Sequence, residues 1–290
     1  MLKHLNLNNC KPSRVVILGS GFIGKSISNN LKSSDILVKE IRSKDLNLLS
    51  QNAEEKLLNS LHEDDVLVFI SARAPCKDLI MLQENIKMAG VVCNVLKCKK
   101  ISHLIYISSD AVYKDSSNFI NEESCAEPDS IHGTMHLTRE IFLKNTFNGP
   151  FTILRPTLVY GLDDPHNGYG PNRFLKHAKN NIDIDLFGNG EELRDHIFVD
   201  DIAELVRLIV INKSTGILNA VSGDVVSFKD IASFIVKKTN SSSIIRSNIR
   251  SGSMPHNGYR AFNAKNIADS FPDFKITAWR IGLNKIIELL

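Results

Sequence analysis

The sequence predicts an α/β fold, a doubly wound parallel sheet followed by a smaller C-terminal α/β lobe. Three observations predict it. Short, β-branched apolar runs alternate with helical segments over the first half of the chain. A glycine-rich turn joins the first apolar run directly to its helix. After Pro150 the alternation loosens, and residues typical of loops gather before a second set of short elements.

Arg14 to Leu18 is a compact apolar run of the kind that fills a buried parallel strand. Gly19 to Gly24 turns the chain, and Lys25 to Lys32 reads as a helix with Ile27 and Leu31 four apart. Ile36 to Ile41 is a second strand, followed by a polar helix around Ala53 to Leu61. Asp65 to Ser71 and Leu104 to Ser109 are further strands, separated by a long helix over Leu79 to Lys97. Phe151 to Pro156 is one more strand, ended by proline, and Gly161 to Pro171 is a loop. The expected division is an N-terminal segment over 1–13, a nucleotide-binding domain over 14–160, and a lobe over 161–290 with some segments returning to the first domain. No repeats or low-complexity tracts interrupt it.

The chain has 290 residues, enough for a sizeable core. Hydrophobic content of 43% and charged content of 23% exclude disorder and collagen-like repeats. Thirty-five basic residues against 32 acidic ones leave +3, too balanced to argue for nucleic acid. Cys10, Cys76, Cys93, Cys98 and Cys125 form neither a paired disulfide framework nor a zinc spacing, so free thiols in a reducing compartment are expected. No apolar run approaches a membrane span, and the first residues lack the apolar core of a signal peptide. A cytoplasmic protein with no membrane partner is the expectation.

Gly19, Gly21 and Gly24, with Ser20, Phe22 and Ile23 between them, stand between a strand and a helix. That context suits a dinucleotide: one glycine permits the turn, one admits the pyrophosphate, and one lets helix and strand pack. A turn without ligand is the bland reading. Eighteen residues beyond Gly24, where an NAD-binding chain would place an acid, stand Arg42, Ser43 and Lys44. Their donors suit the 2′-phosphate of NADP, with NAD possible and a solvated basic turn as the alternative. Glu40 is the nearest acid and is expected to point away.

Gly21-Phe-Ile-Gly24, Leu104 to Tyr113, Leu154 to Gly161, Gly188 to Gly190 with Arg194-Asp195, Val199 to Ile202, and Leu218 to Gly223 follow one another in a distinctive order. On these segments the chain, from about residue 14 onward, resembles an extended short-chain dehydrogenase/reductase of the nucleotide-sugar epimerase/dehydratase/reductase group. Leu18 stands where many members carry their first glycine. The resemblance implies a Rossmann sheet, a nicotinamide cofactor, a nucleotide-sugar substrate, a role in surface polysaccharide synthesis, and a homodimer through the helices near Leu79–Lys97 and His132–Lys144. It places Ser109 on the substrate's reacting oxygen and Asn85 in support of the active site. Asp110 falls where dehydratases keep an acid, but Ala111 replaces their neighbouring Glu, which argues against 4,6-dehydration. Asn172 and Arg173 match substrate-lobe positions, and Arg194 and Arg260 match arginines that clamp a diphosphate, for which a guanidinium is suited. A surface arginine without ligand is the alternative for both.

The family's Tyr-x-x-x-Lys is absent. Aligned on Gly133 and Glu140, its positions hold His132 and His136. Three readings stay open. His132 takes over proton transfer, being poised near neutrality without a neighbouring cation, while His136 holds the ribose. Alternatively catalysis is lost and the protein binds its ligands only. Or His132, His136 and Glu140, four apart on one helix face, bind a metal. Proton donation from elsewhere, such as Tyr113, is a further possibility. His4, His62, His103, His166, His177, His196 and His256 show no site spacing and are expected in loops or on the surface, and Trp279 in the core. The resulting expectation is an NAD(P)-dependent reductase of a 4-keto-sugar nucleotide, with an epimerase and a non-catalytic binding protein as alternatives.

Overall fold

In the computed structural model the described residues are 2–6, 8, 10–165 and 167–290. His166, and Met1, Leu7 and Asn9 of the N-terminal segment, lie outside them. The first half runs β1 (Lys3–His4), β2 (Val15–Leu18), α1 (Phe22–Ser33), β3 (Val38–Ile41), α2 (Ala53–Ser60), β4 (Val66–Phe69), α3 (Leu79–Cys98), β5 (His103–Ile107), a 3-10 turn (Asp110–Val112), α4 (Ile131–Thr146) and β6 (Phe151–Pro156). The second half runs β7 (Leu158–Tyr160), α5 (Pro171–Lys179), β8 (Ile184–Phe187), β9 (Leu193–Phe198), α6 (Val199–Asn212), β10 (Ser214–Ala220), β11 (Val225–Ser227), α7 (Phe228–Thr239), β12 (Ile245–Asn248), a second 3-10 turn (Pro255–Gly258), β13 (Tyr259–Arg260), α8 (Lys265–Ser270) and α9 (Trp279–Glu288).

Seven strands form the main sheet in the order β1-β10-β6-β5-β4-β2-β3. All pairings are parallel except β1 with β10. The sheet is doubly wound, as the sequence predicts. Val15 and Ile17 pack with Ile27, Leu31, Ile202 and Val206 under α1 and α6. Val16 and Leu18 pack with Leu57, Ala89, Val92 and Leu143 under α2, α3 and α4. Both faces are therefore covered, which is why these strands read as unbroken apolar runs. From β2 the chain adds β3 on one side and then β4, β5 and β6 on the other. That reversal opens a crevice at the carboxyl ends, where an open α/β sheet binds its ligand.

Three features depart from the sequence reading. The N-terminal segment contributes β1, with Leu2 in the core and His4 bonded to Ser214 Oγ (2.8 Å) and the Ser270 carbonyl (2.9 Å). Helix α3 is long and apolar enough to cross a membrane by length and composition, although no such run was expected. Its apolar face, including Met88, Val92 and Leu96, packs on the sheet. His103 and His196 are buried in strands, not placed in loops, because β5 and β9 are enclosed on both faces.

The lobe is a sheet of β11-β9-β13 with β7 also on β9, plus the pair β12-β8. Its core joins Phe174, Leu186, Phe228, Ile231, Trp279 and Leu283. Helix α6 and strand β10 return to the main sheet. Asp195 on β9 fastens the seam, accepting from Thr157 Oγ1 (2.7 Å) and the amides of Ser222 (2.9 Å) and Gly223 (2.8 Å) beyond β10.

Candidate active site

The turn after β2 is shaped by close backbone approach. Gly19 has φ +111°, and a Cβ there would lie 2.6 Å from the Ser71 amide nitrogen. Gly24 packs against the Gly19 carbonyl, while a Cβ on Gly21 would meet nothing within 4 Å. Helix α1 starts behind Gly21 with no side chain capping it. An open cradle beneath an uncapped helix N-terminus fits a dinucleotide diphosphate. Phe22 and Ile23 turn toward the lobe core. The helix begins three residues before the sequence pattern places it, because glycine carries no side chain to signal a cap.

Glu40 does not point away. Residues two apart on a strand share a face, so Glu40 lies on the side of Arg42. Its carboxylate accepts from Ser20 Oγ, Ser28 Oγ and Lys32 Nζ, all at 2.6 Å, and from Arg42 Nη2 at 3.4 Å. The Lys32 ammonium, with the Ser20 and Ser28 hydroxyls, holds its pKa down to about 2. An acid so occupied has little acceptor capacity left for a ribose hydroxyl. Arg42, Ser43 and Lys44 remain exposed beside it.

At the ends of β5 and β6 lies a buried polar network. Glu140 accepts from Arg155 Nε (2.9 Å) and Nη2 (2.6 Å) and from Ser108 Oγ (2.6 Å). Glu140 is thus turned from His132 and His136, and among the described residues no three His, Cys, Asp or Glu side chains are grouped to hold a metal. Ser109 is half-exposed and caps the 3-10 turn, with Oγ 3.1 Å from the Ala111 amide. Helix α4 starts against this turn because residue 133 is glycine. A Cβ there would lie 2.0 Å from the Ala111 carbonyl oxygen.

His132 is half-buried, and its Nδ1 accepts from the Cys76 amide at 3.3 Å. Burial lowers its pKa, with the Asp110 charge acting the other way. His136 is buried, 2.7 Å from Tyr106 Oη through Nδ1, with burial holding it well below the ordinary imidazole value. The two rings meet edge to face at 4.7 Å. Asn85 accepts from the Arg73 amide (2.9 Å) and donates to the Arg73 and Met81 carbonyls (3.0 and 2.9 Å), fixing the segment that leads to Cys76.

The substrate lobe is placed differently from expectation. Arg260 is 1% exposed and fully engaged, donating to Asp110 Oδ2 (2.9 Å), the Asp110 carbonyl (2.7 Å) and Asp115 Oδ1 (2.5 Å). It braces the 3-10 turn, and Asp110 is correspondingly occupied as an ion-pair acceptor. Asn172 is spent on the Gly161 amide (3.0 Å) and Asp164 (2.8 Å), ordering the loop before α5. Arg194 donates to Glu192 (2.9 Å), and Arg173 forms no ion pair among the described residues.

Sequence reasoning passed over Arg139, Tyr106 and Cys76. Arg139 is fully buried, stacked 4.4 Å over Phe69, and donates to the Ser71 carbonyl at 2.7 Å. It was legible, since Met135, Arg139 and Leu143 recur every four residues on the core face of α4. Cys76 acts through its backbone, which leaves no mark in a sequence.

A model of the family described as NAD dependent epimerase/dehydratase matches residues 15–220. Protein CapI of Staphylococcus aureus is 30% identical over 159 residues, 51% of this chain, and the match spans 47% of that relative's length. UDP-glucose 4-epimerase of Thermus thermophilus, solved with NAD, superposes with TM-score 0.80 at 17% identity, over 95% of this chain and 98% of that one. A GDP-L-fucose synthetase of Naegleria fowleri, solved with NADP, superposes with TM-score 0.80 at 16% identity, over 99% and 94% of the two chains. UDP-glucuronic acid 4-epimerase of Bacillus cereus does so with TM-score 0.80 at 20% identity, over 95% and 98%.

Proposed function

Because this chain belongs to the NAD-dependent epimerase/dehydratase family, we propose that it is an NADP-linked reductase of a nucleotide-activated 4-keto sugar. The observation that carries the choice is the end of β3. Arg42, Ser43 and Lys44 stand exposed there while the carboxylate of Glu40 is consumed by Ser20, Ser28 and Lys32. Donors suited to a 2′-phosphate stand exposed, Arg42 held only by its 3.4 Å contact with Glu40, and the acid that would favour a 2′-hydroxyl is already occupied. The fucose synthetase of like fold was solved with NADP, which supports the same reading.

When bound, NADPH supplies the hydride that reduces the keto carbon. The residues of the chain serve the oxygen and the geometry. Gly21 and the first turn of α1 seat the diphosphate. We assign to the oxygen that gains a proton Ser109, which caps the 3-10 turn, and His132, on the helix that packs closely against that turn. His136 lies one turn deeper, at the position the family gives to a ribose-holding lysine. Such a reduction serves the building of surface polysaccharide. Epimerisation is the second reading, favoured by like folds solved as 4-epimerases.

The experiment is mass spectrometry of a panel of 4-keto-sugar nucleotides incubated with the protein and NADPH in D2O. A mass gain matching reduction is expected. Deuterium uptake without reduction makes it an epimerase, and neither change with NADPH still bound makes it a binding protein. Replacing His132 with Phe is expected to abolish turnover while NADPH still binds, as read by fluorescence titration.

A further inference from the structure

Resting on the placement of His132 and His136 at the reacting oxygen and the nicotinamide ribose, we propose that the two imidazoles form a neutral pair of hydrogen-bond donors. Each carries its proton on Nε2 because a fixed donor occupies its Nδ1. For His132 that donor is the Cys76 amide, 3.3 Å away. An amide nitrogen has no lone pair to offer, so Nδ1 must be the bare nitrogen of the ring. For His136 the donor is the buried Tyr106 hydroxyl, at 2.7 Å. His136 is the one hydrogen-bond partner of that hydroxyl among the described residues. Were His136 the donor, the phenolic proton would lie in a dry interior with no acceptor, at a cost of about 1–3 kcal/mol.

The surroundings resist a charge on either ring. A proton on Nδ1 of His132 would set N–H against N–H. The rings lie 4.7 Å apart, edge to face, so two imidazolium ions would repel. His132 is the second residue of α4, after the cap Ser130, where the helix dipole disfavours a cation. Arg139 follows His136 on the buried face, 5.2 Å over the Tyr106 ring, and has no carboxylate partner among the described residues. Its charge falls on His136, as does that of any cation at His132. Asp110 opposes this at His132, but Arg260 already holds that carboxylate. Glu140, on the same helix, is consumed by Arg155 and Ser108.

The pair also explains why both family residues changed together. A tyrosine needs a neighbouring cation to bring its proton within reach of neutral pH. A neutral imidazole gives a hydrogen bond through Nε2 without one but keeps that proton, so the alkoxide left by hydride transfer is steadied by the ring and takes its proton from water, and the lysine position is freed to donate a hydrogen bond as well. The buried positive charge of that helix sits instead at Arg139, underneath. Asn85 and Tyr106 are then positioning residues, one for the Cys76 segment and one for His136.

The test uses the full chain with NADPH bound and its histidines 15N-labelled. Long-range 1H–15N spectra are followed from about pH 5.5 to about pH 8.5, across the ordinary imidazole range. His132→Gln and His136→Gln assign the two rings. The expected result is a neutral, Nε2-protonated pattern for both from about pH 6.5 upward. Tyr106→Phe is expected to turn His136 into a mixture of tautomers, leave His132 alone, and raise the KM for NADPH more than it lowers kcat. A charged ring at neutral pH, or an Nδ1-protonated one, overturns the pair, and the wild-type spectrum decides this even if Tyr106→Phe fails to fold. The spectra need no turnover. Two Nε2-protonated rings in a protein that reduces no sugar nucleotide would overturn the reaction and uphold the pair.

Discussion

One guanidinium at the end of β3 carries the proposed preference for NADP, and its neighbour Glu40 makes the test sharp. With Glu40 already occupied, Arg42→Asp places a second carboxylate where a 2′-phosphate would sit. A charge-assisted bond of this kind is worth about 1.5–3 kcal/mol, or about ten- to a hundredfold. The ratio of kcat/KM for NADPH over NADH is expected to fall by at least that factor and invert; an unchanged ratio would remove the 2′-phosphate assignment. Deeper in, Glu140→Gln leaves the Arg155 guanidinium uncompensated at 3% exposure. Breaking a buried pair from one side costs about 3–5 kcal/mol, read as a lower midpoint in urea. Single residues were legible wherever their role follows from chain position. The glycine turn is one such case, since it directly follows the end of β2. Arg260 was not legible, because its partners Asp110 and Asp115 lie 150 and 145 residues away and no local pattern records them.

Among the elements, the contact of α4 with the 3-10 turn matters most to the site. Gly133→Ala sets a methyl 2.0 Å from the Ala111 carbonyl oxygen, so helix and turn must separate. On the proposed roles of His132 and Ser109, a misplacement of about an ångström costs about a hundredfold in rate. The expected signature is a kcat loss of about that size with NADPH affinity kept, measured by steady-state kinetics and titration. Strands β2, β4, β5 and β6 were legible because burial on both faces writes an unbroken apolar run into the chain. The apolar pattern of α3 was equally plain as a helix, but its length alone does not distinguish a covered core helix from a membrane span. Packing on the sheet supplies that distinction, and it is a property of the fold.

For the whole molecule, buried titratable groups set how the protein tolerates acid. Burial lowers His103 to about 4 and His196 to about 3, and holds His136 well below its ordinary value. Unfolding lets all three take protons below about pH 6.5, so their contribution to stability is lost as the pH falls. Asp195 runs the other way: burial raises it to about 6, so the folded state takes up its proton first. Among these four groups the balance is a net of two protons bound on unfolding. Stability is therefore expected to fall by up to about 3 kcal/mol per pH unit near pH 5, checked by urea melts between about pH 5 and pH 7. A flat profile would mean that these histidines are solvated in the native state. The overall architecture was readable from the alternation of elements. The seam at Asp195 was not, since Thr157, Ser222 and Gly223 converge on it only in three dimensions.

The two residues of β1 have an effect out of proportion to their number. By pairing antiparallel with Ser214 and Thr215, Lys3 and His4 cover the start of the outer rim of β10. Without them, that row of backbone donors and acceptors would be free to recruit a strand from another molecule. The same short pairing therefore doubles as a guard against self-association in crowded solution, and its removal would be felt as turbidity long before it was felt at the crevice.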